Sequence, residues 1–129
     1  MIEEQFVSFD TAKLLKEAGF DVPTSTHYSN SGEVWQSSAP EDYNDDKSCK
    51  ACSRPTQALA ARWLREVHRI VVDVAYIPPH VGRDVWQYFV GGMDDMVLLG
   101  DYEPSDRKYE TYEEAMEAGL QEAIKLIKN

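Results

Sequence analysis

Histidine and cysteine, the side chains that most often bind metals or act in catalysis, are scarce in this chain. Its 129 residues include three histidines and two cysteines, too few and too dispersed to predict a histidine-based catalytic site. The sequence also lacks a G-x-S-x-G nucleophile elbow and phosphate loops of the G-x-x-x-x-G-K-[ST] or G-x-G-x-x-G type. These absences favour a non-enzymatic protein without a bound cofactor.

Basic side chains are outnumbered by acidic ones. Thirteen Lys and Arg residues against 23 Asp and Glu give a net charge of -10, whereas binding to phosphates requires clustered Lys and Arg. The basic residues concentrate in residues 54–92, where five arginines stand against three acidic residues. The composition therefore argues against a nucleic-acid partner and favours a protein partner.

Long apolar runs are also missing. No stretch approaches the roughly 20 apolar residues of a membrane-spanning helix, and the beginning of the sequence, MIEEQFVSF, lacks the basic and apolar regions of a secretory signal. We therefore predict no membrane association and a cytoplasmic location, in which the two cysteines are expected to be reduced.

Residues 55–90 predict a helix followed by two strands. In PTQALAARWLREVHR the apolar residues recur at helical spacing, and Pro55 suits the first helical turn because its missing N–H costs nothing there. The runs IVVDVAYI and DVWQYFV alternate and are rich in β-branched and aromatic residues, and Pro78, Pro79 and Gly82 between them predict an antiparallel hairpin. The predicted core positions of this helix are Leu59, Ala60, Trp63, Leu64 and Val67.

Two further helices are predicted, one near each end of the sequence. Ser8 is suited to cap the first helix, Gly19 to end it, and Phe20 occupies the apolar position of a Schellman motif. Thr111 begins a capping box before the last helix. Gly119 lies within the apolar stripe of that helix, and its missing side chain predicts a close contact with the sheet.

The remaining segments complete the predicted fold. Residues 24–38 predict a weaker hairpin, whose polar first strand is expected to be at an edge or irregular. Residues 39–53 predict a long surface loop. Residues 93–102 contain a candidate third strand of the sheet. The whole chain, residues 1–129, predicts a single α+β domain in which a small antiparallel sheet of three to five strands packs with three helices. The predicted order is α-β-β-α-β-β-(β)-α.

Cys49 and Cys52 form a C-x-x-C motif, the one motif in the sequence whose spacing is typical of metal binding or redox chemistry. Two thiolates three positions apart can bind a tetrahedral metal or form a disulfide. However, the sequence has no second C-x-x-C, and His27, His68 and His80 lack partner spacing. We favour the interpretation that the pair has no metal or catalytic role, and keep a small redox or metal-binding protein as the alternative.

Two groups of side chains predict an interaction surface. Four arginines share one sector opposite the apolar stripe of the central helix, which is most simply a solvated face; the alternative is a contact for an anion or an acidic partner. The second hairpin strand has large side chains on both faces, so an uncovered face with Trp86 and Tyr88 would form an exposed aromatic patch and favour a homodimer. The arginines are Arg54, Arg62, Arg65 and Arg69.

Three segments carry a resemblance to known proteins. In order and spacing, FVSFDTAKLLKEAGF, PTQALAARWLREVHRI and YETYEEAMEAGLQEAIKLI resemble a family of small uncharacterised proteins of bacterial prophages and mobile elements. The resemblance implies no catalytic residue. More faintly, Thr111, Glu113, Glu114 and Ala115 resemble the T-x-E-E-A start of the helix in HicB-type antitoxins.

The sequence therefore predicts a non-enzymatic accessory or protein-interaction protein of a bacterial phage or mobile element. The redox or metal-binding protein that would use Cys49 and Cys52 is the first alternative. An acidic antitoxin-like or nucleic-acid-mimicking regulator is the second alternative, because of the net charge and the HicB-like helix start.

Overall fold

Three helices and six strands make up the described part of the chain. The computed structural model describes residues 2–45, 51–79, 84–94, 103–104 and 108–127. The helices are α1 (Phe9–Glu17), α2 (Gln57–Val67) and α3 (Tyr112–Lys125). The strands are β1 (Thr24–Tyr28), β2 (Val34–Glu41), β3 (Cys52–Ser53), β4 (Ile70–Ile77), β5 (Val85–Gly92) and β6 (Glu103–Pro104).

The predicted α+β class is confirmed, and the order of elements matches the prediction apart from the added β3. The strands form two antiparallel sheets instead of one, with strand orders β2-β1-β3 and β4-β5-β6. Each sheet belongs to one of two compact units, Met1–Ala60 and Ala61–Asn129, called the first and second unit below. Folding of the whole chain as a single cooperative domain stays a prediction.

Helix α1 begins and ends as the sequence predicts. The hydroxyl oxygen of Ser8 accepts a hydrogen bond from the backbone N–H of Thr11 at 3.2 Å, which satisfies one of the unpaired donors of the first turn. At the other end Gly19 has a φ of +95°, and the N–H of Phe20 donates to the carbonyl of Leu15 at 2.9 Å. This bond and the left-handed glycine define the Schellman motif.

The polar strand β1 lies in the centre of the first sheet, so the prediction of an edge position was wrong, whereas the predicted alternative of an irregular strand agrees with the register shift between Thr24 and Thr26. Thr24, Thr26 and Tyr28 are buried, and each hydroxyl has an acceptor. Thr24 donates to the carbonyl of Thr26 at 2.7 Å, Thr26 to that of Arg54 at 3.0 Å, and Tyr28 to that of Val7 at 2.5 Å. A threonine whose hydroxyl is satisfied packs as a β-branched residue, which polarity alone does not reveal.

The connection after β2 is shorter than the predicted loop of residues 39–53. Strand β2 continues to Glu41, and Cys52 and Ser53 form β3, where both are buried. The side chain of Asn44 fixes the start of the connection, since its amide donates to the carbonyl of Phe20 at 2.9 Å and its oxygen accepts from the N–H of Ser53 at 3.0 Å. The side chains of Cys52 and Ser53 are small, and this allows β3 to be buried.

Helix α2 starts two residues later than predicted. The hydroxyl oxygen of Thr56 accepts from the N–H of Leu59 at 3.1 Å, so Thr56 caps the helix and Pro55 precedes the cap. Val67, predicted to face the core, is 60% exposed. It occupies the last helical position, where the chain leaves the helix before the predicted end at Arg69.

The predicted hairpin of β4 and β5 is present. Its antiparallel register runs from the pair Ile70 and Gly92 to the pair Ile77 and Val85. A third strand is also present, but it is β6, at residues 103–104, which pairs with β5 and follows the predicted segment 93–102. Residues 95–102 of that segment lie outside the described residues.

Helix α3 packs closely on the second sheet at Gly119. The helix begins as predicted, since the hydroxyl oxygen of Thr111 accepts from the N–H of Glu114 at 3.1 Å. A Cβ atom placed on Gly119 would lie 2.8 Å from Cγ1 of Val72 and 3.1 Å from Cβ of Tyr88. The absence of a side chain therefore permits the close approach that the sequence predicts.

We expect Gly119→Ala to lower the free energy of unfolding by up to about 2 kcal/mol. The gain of roughly 1 kcal/mol in helix propensity is outweighed by overpacking, which costs about 1 to 3 kcal/mol. Because Val72 supplies the nearest atom, the same change should cost less in a Val72→Ala background. Denaturant unfolding of the four proteins checks this, and additive effects would contradict it.

Candidate protein-interaction site

Four aromatic side chains meet on the face of the second sheet that α3 covers. Trp86 of β5 pairs with Tyr76 of β4 and, on its other side, with Tyr109, through backbone hydrogen bonds of 2.7 and 2.8 Å. Residues that pair across strands share a face, and Tyr112, the first residue of α3, adds the fourth ring. We call Tyr76, Trp86, Tyr109 and Tyr112 the aromatic surface.

The rings of the aromatic surface are set at large angles to one another. The centroids of Tyr76 and Trp86 are 5.1 Å apart with planes at 50°, and those of Trp86 and Tyr112 are 5.6 Å apart with planes at 86°. Such tilted and edge-to-face arrangements are favourable for aromatic pairs. Tyr76 is 44% exposed and Tyr112 is 41% exposed, whereas Trp86 and Tyr109 are half-buried. Part of this surface is thus accessible beside α3.

A carboxylate lies at the margin of the aromatic surface. Asp84 precedes β5 and has a φ of +59°, a left-handed conformation that is uncommon for residues with a Cβ atom, although Asp tolerates it better than most. One of its oxygens accepts a hydrogen bond from the hydroxyl of Tyr76. The bond fixes the position of the carboxylate relative to the exposed ring.

The same contact shifts the acid–base equilibrium of the tyrosine. The hydrogen bond to Asp84 raises the pKa of Tyr76 above its ordinary value, and desolvation and the negative charge of the carboxylate add to this effect. Because the folded protein holds this hydroxyl in its protonated form, the contact stabilises the fold at neutral pH. The stabilisation is lost as the pH rises through the raised pKa of Tyr76.

We expect Asp84→Asn to lower the pKa of Tyr76 towards its ordinary value, because the neutral amide does not repel a tyrosinate. The chain has seven tyrosines, so the alkaline titration of tyrosine absorbance needs a difference measurement. In the wild-type background, the titration curve of Tyr76→Phe is subtracted from that of the wild-type protein, and the difference is the titration of Tyr76. The same subtraction is made between the Asp84→Asn protein with and without Tyr76→Phe. Identical difference curves in the two backgrounds would contradict the assignment.

Trp86 and Tyr88, predicted as parts of an uncovered aromatic face, have different environments. Trp86 belongs to the aromatic surface, whereas Tyr88 packs against Gly119 beneath α3. Tyr76 and Tyr112 were not predicted as exposed partners of Trp86. Two signals could have identified them: Tyr76 faces Trp86 in the hairpin register, and Tyr112 directly follows the cap at Thr111.

The four arginines do not form one stripe on α2. Arg62 and Arg65 are exposed residues of the helix, whereas Arg54 precedes it and Arg69 follows it with a φ of +55°. In the first unit, the guanidinium of Arg54 lies 4.0 Å from the centroid of the Phe6 ring, a cation–π contact. Its Nε atom is buried and has no hydrogen-bond partner among the described residues.

Two of the arginines in the second unit form ion pairs within it. Arg62 pairs with Glu66 one turn further along α2, and Arg69 pairs with Asp94. All four side chains are largely exposed, so each pair contributes only about 0 to 1 kcal/mol. Because Arg62 and Arg69 already pair with carboxylates, an anion site made of these arginines is less favoured. Arg65 alone would provide only one positive charge for it.

The cysteine pair lies only partly within the described residues. Cys49 is outside them, and Cys52 is a free, buried residue of β3. In the register of β1 and β3, Tyr28 faces Cys52 and His27 faces Ser53. Because successive strand residues point to opposite faces, His27 and Cys52 are directed to different sides of the sheet and cannot bind the same metal ion.

The thiol of Cys52 is held in its protonated form. Burial raises its pKa above the ordinary value, an effect larger than the opposing influence of the positive charges of Lys16 and Lys13. A raised pKa disfavours the thiolate, which is the form that binds metals and attacks disulfides. Within the described ranges, no group of three or more His, Cys, Asp or Glu side chains is placed to hold a metal ion.

We expect Cys52 to react slowly with a thiol reagent in the folded protein. In the variant Cys49→Ser, reaction with 5,5′-dithiobis(2-nitrobenzoate) at neutral pH should be at least about 100-fold slower than in denaturant, because the buried thiol is inaccessible and protonated. In the variant Cys52→Ser, the same reaction measures the reactivity of Cys49 for comparison. Equal rates for folded and unfolded Cys52 would contradict the burial, and one zinc per chain in the wild-type protein would support the metal alternative.

Comparison with models of protein families, with curated proteins and with solved structures found no match. The resemblances to prophage and mobile-element proteins and to HicB-type antitoxins therefore stay predictions. No helix in the described ranges combines the length and apolar character needed to cross a lipid bilayer.

Proposed function

We propose that this protein is a non-enzymatic accessory or protein-interaction protein of a bacterial phage or mobile element, and that the aromatic surface binds its partner. The observation that carries the proposal is the 44% and 41% exposure of Tyr76 and Tyr112 around the half-buried Trp86. Tyr and Trp dominate the binding energy of protein interfaces, where a few clustered side chains act as anchors. The link to phages and mobile elements depends on the resemblance of the three sequence segments.

The elements that hold the aromatic surface favour such a role. Its residues come from β4, β5, the bridge before α3 and α3 itself, so the backbone that carries each ring is held by the hydrogen bonds of a strand, a bridge or a helix. Gly119 sets α3 closely on the sheet, and this contact positions Tyr112 beside Trp86. Side chains that are ordered before binding lose less conformational entropy when a partner docks.

The two alternative functions receive different support. The buried, protonated thiol of Cys52 weighs against redox or metal chemistry, because both require an accessible thiolate. The antitoxin-like regulator shares the acidic composition and the need for a protein partner. It differs from the first proposal only in the identity of that partner, which would be a toxin or a nucleic-acid-binding protein.

The double variant Tyr76→Ala with Tyr112→Ala tests the proposal against the proteins encoded by the adjacent genes. Each neighbour is produced with the purified chain, and dissociation constants are measured for those that bind. We expect at least a tenfold weaker complex, because truncation of an aromatic anchor typically costs about 2 kcal/mol or more. Unfolding curves establish that the variant is folded.

Trp35→Ala provides the matched control. Trp35 is 56% exposed and belongs to the first unit, so its loss removes an equally accessible aromatic residue outside the aromatic surface. Unchanged binding by the double variant, or an equal loss in Trp35→Ala, would refute the proposed site. If no neighbour binds at all, the protein-interaction role loses its support.

A further inference from the structure

Three carboxylates lie close to residues of the aromatic surface or of β5 in the sequence. Asp84 precedes β5, Glu110 follows Tyr109, and Glu114 lies in the first turn of α3; all three carboxylates are exposed. Within the described residues none of the three forms an ion pair, whereas Asp94 in the same unit pairs with Arg69. Lys108, also exposed, precedes Tyr109 in the sequence. Of the three carboxylates, Asp84 is the one in contact with a ring of the surface, through the hydroxyl of Tyr76.

The combination of exposed rings and carboxylates is suited to a cation. The face of an aromatic ring carries partial negative charge and attracts ammonium or guanidinium groups. Tyr76 and Tyr112 are exposed and lie on either side of Trp86. A guanidinium can stack on such a ring and bind a carboxylate with its N–H groups at the same time, which a compact ammonium does less well.

Asp84 is the carboxylate best placed to act as the anchor. One of its oxygens accepts a hydrogen bond from the hydroxyl of Tyr76, and the residue itself is exposed. The backbone at Asp84 has a φ of +59°, and residues held in sparsely populated conformations are concentrated at functional sites. This carboxylate is thus held beside an exposed ring and is itself accessible.

We propose that the aromatic surface binds an arginine side chain from a basic segment of a protein partner, with the guanidinium stacked on Tyr76 or Tyr112 and paired with Asp84. This inference rests on the proposed function, because it assigns the chemistry of the group that the interaction site recognises. The net charge of -10 would steer such a basic segment towards the protein. The arrangement of rings and carboxylate would then determine where it docks.

The direct test uses defined peptides instead of an unidentified partner. A hexapeptide that alternates glycine and arginine is titrated into isotopically labelled protein, with lysine and citrulline peptides of the same length for comparison. Citrulline keeps the shape of arginine but has no charge. We expect the arginine peptide to shift the indole N–H signal of Trp86 and not that of Trp35, the lysine peptide to bind more weakly, and the citrulline peptide not to bind.

Charge variants separate local recognition from general attraction. Asp84→Asn should weaken binding of the arginine peptide about tenfold, while Asp21→Asn, which removes one exposed charge in the first unit, should change it less than twofold. If Asp84→Asn perturbs folding, the double variant Glu110→Gln with Glu114→Gln provides a second test, at the carboxylates that lie close to Tyr109 and Tyr112 in the sequence. Equal effects of Asp84→Asn and Asp21→Asn, or shifts at Trp35 alone, would overturn the inference and indicate nonspecific attraction.

The outcomes also separate this inference from the proposed function. If a neighbouring protein depends on Tyr76 and Tyr112 but the arginine peptide does not bind, the interaction role stands and the arginine assignment fails. If the peptide binds as described but the Tyr76→Ala, Tyr112→Ala variant binds every partner normally, the surface recognises arginine and the proposed function fails. A lysine peptide that binds more tightly than the arginine peptide would overturn the preference for guanidinium.

Discussion

The close packing of α3 on the second sheet is the constraint on which the second unit depends. Gly119 brings the helix backbone near Val72 and Tyr88, and this distance decides which parts of the sheet face are buried. Tyr88 packs against Gly119 beneath the helix, while Trp86, two residues earlier in the strand, lies beside Tyr112 at the start of the helix; both are half-buried. A single residue without a side chain thus sets how closely the helix covers the sheet next to the aromatic surface.

Local patterns predicted the helices and hairpins well because their causes are local. The cap at Ser8 and the glycine at Gly19 lie within one or two turns of the helix that they delimit. The division into two sheets and the central position of β1 depend on distant partners. The hydroxyl of Thr26 is satisfied by the carbonyl of Arg54, and the polarity of β1 gave no indication of this acceptor 28 residues away. Burial of β1 therefore could not be deduced from its composition.

The candidate site was predictable to a smaller degree. Trp86 was predicted to be exposed only if its face of the hairpin stayed uncovered, but α3 packs on that face, and the exposed neighbours of Trp86 come from another strand and from α3. Asp84 was not identified, since a lone carboxylate in a loop has no signature until its left-handed backbone and its bond to Tyr76 are known. The arginine stripe failed for a related reason: helical periodicity was extended beyond the residues that are helical, from Gln57 to Val67.

The outer strand of the first sheet has a consequence for solubility during folding. Strand β2 exposes Val34 and Trp35, and an apolar outer strand is a template to which another chain can add and begin an aggregate. The register with β1 is irregular, however, because residues 37–40 lie opposite Ser25 alone. This bulge and the missing N–H of Pro40 interrupt the row of backbone groups after a few residues. The strand can therefore keep exposed apolar side chains while resisting extended intermolecular pairing.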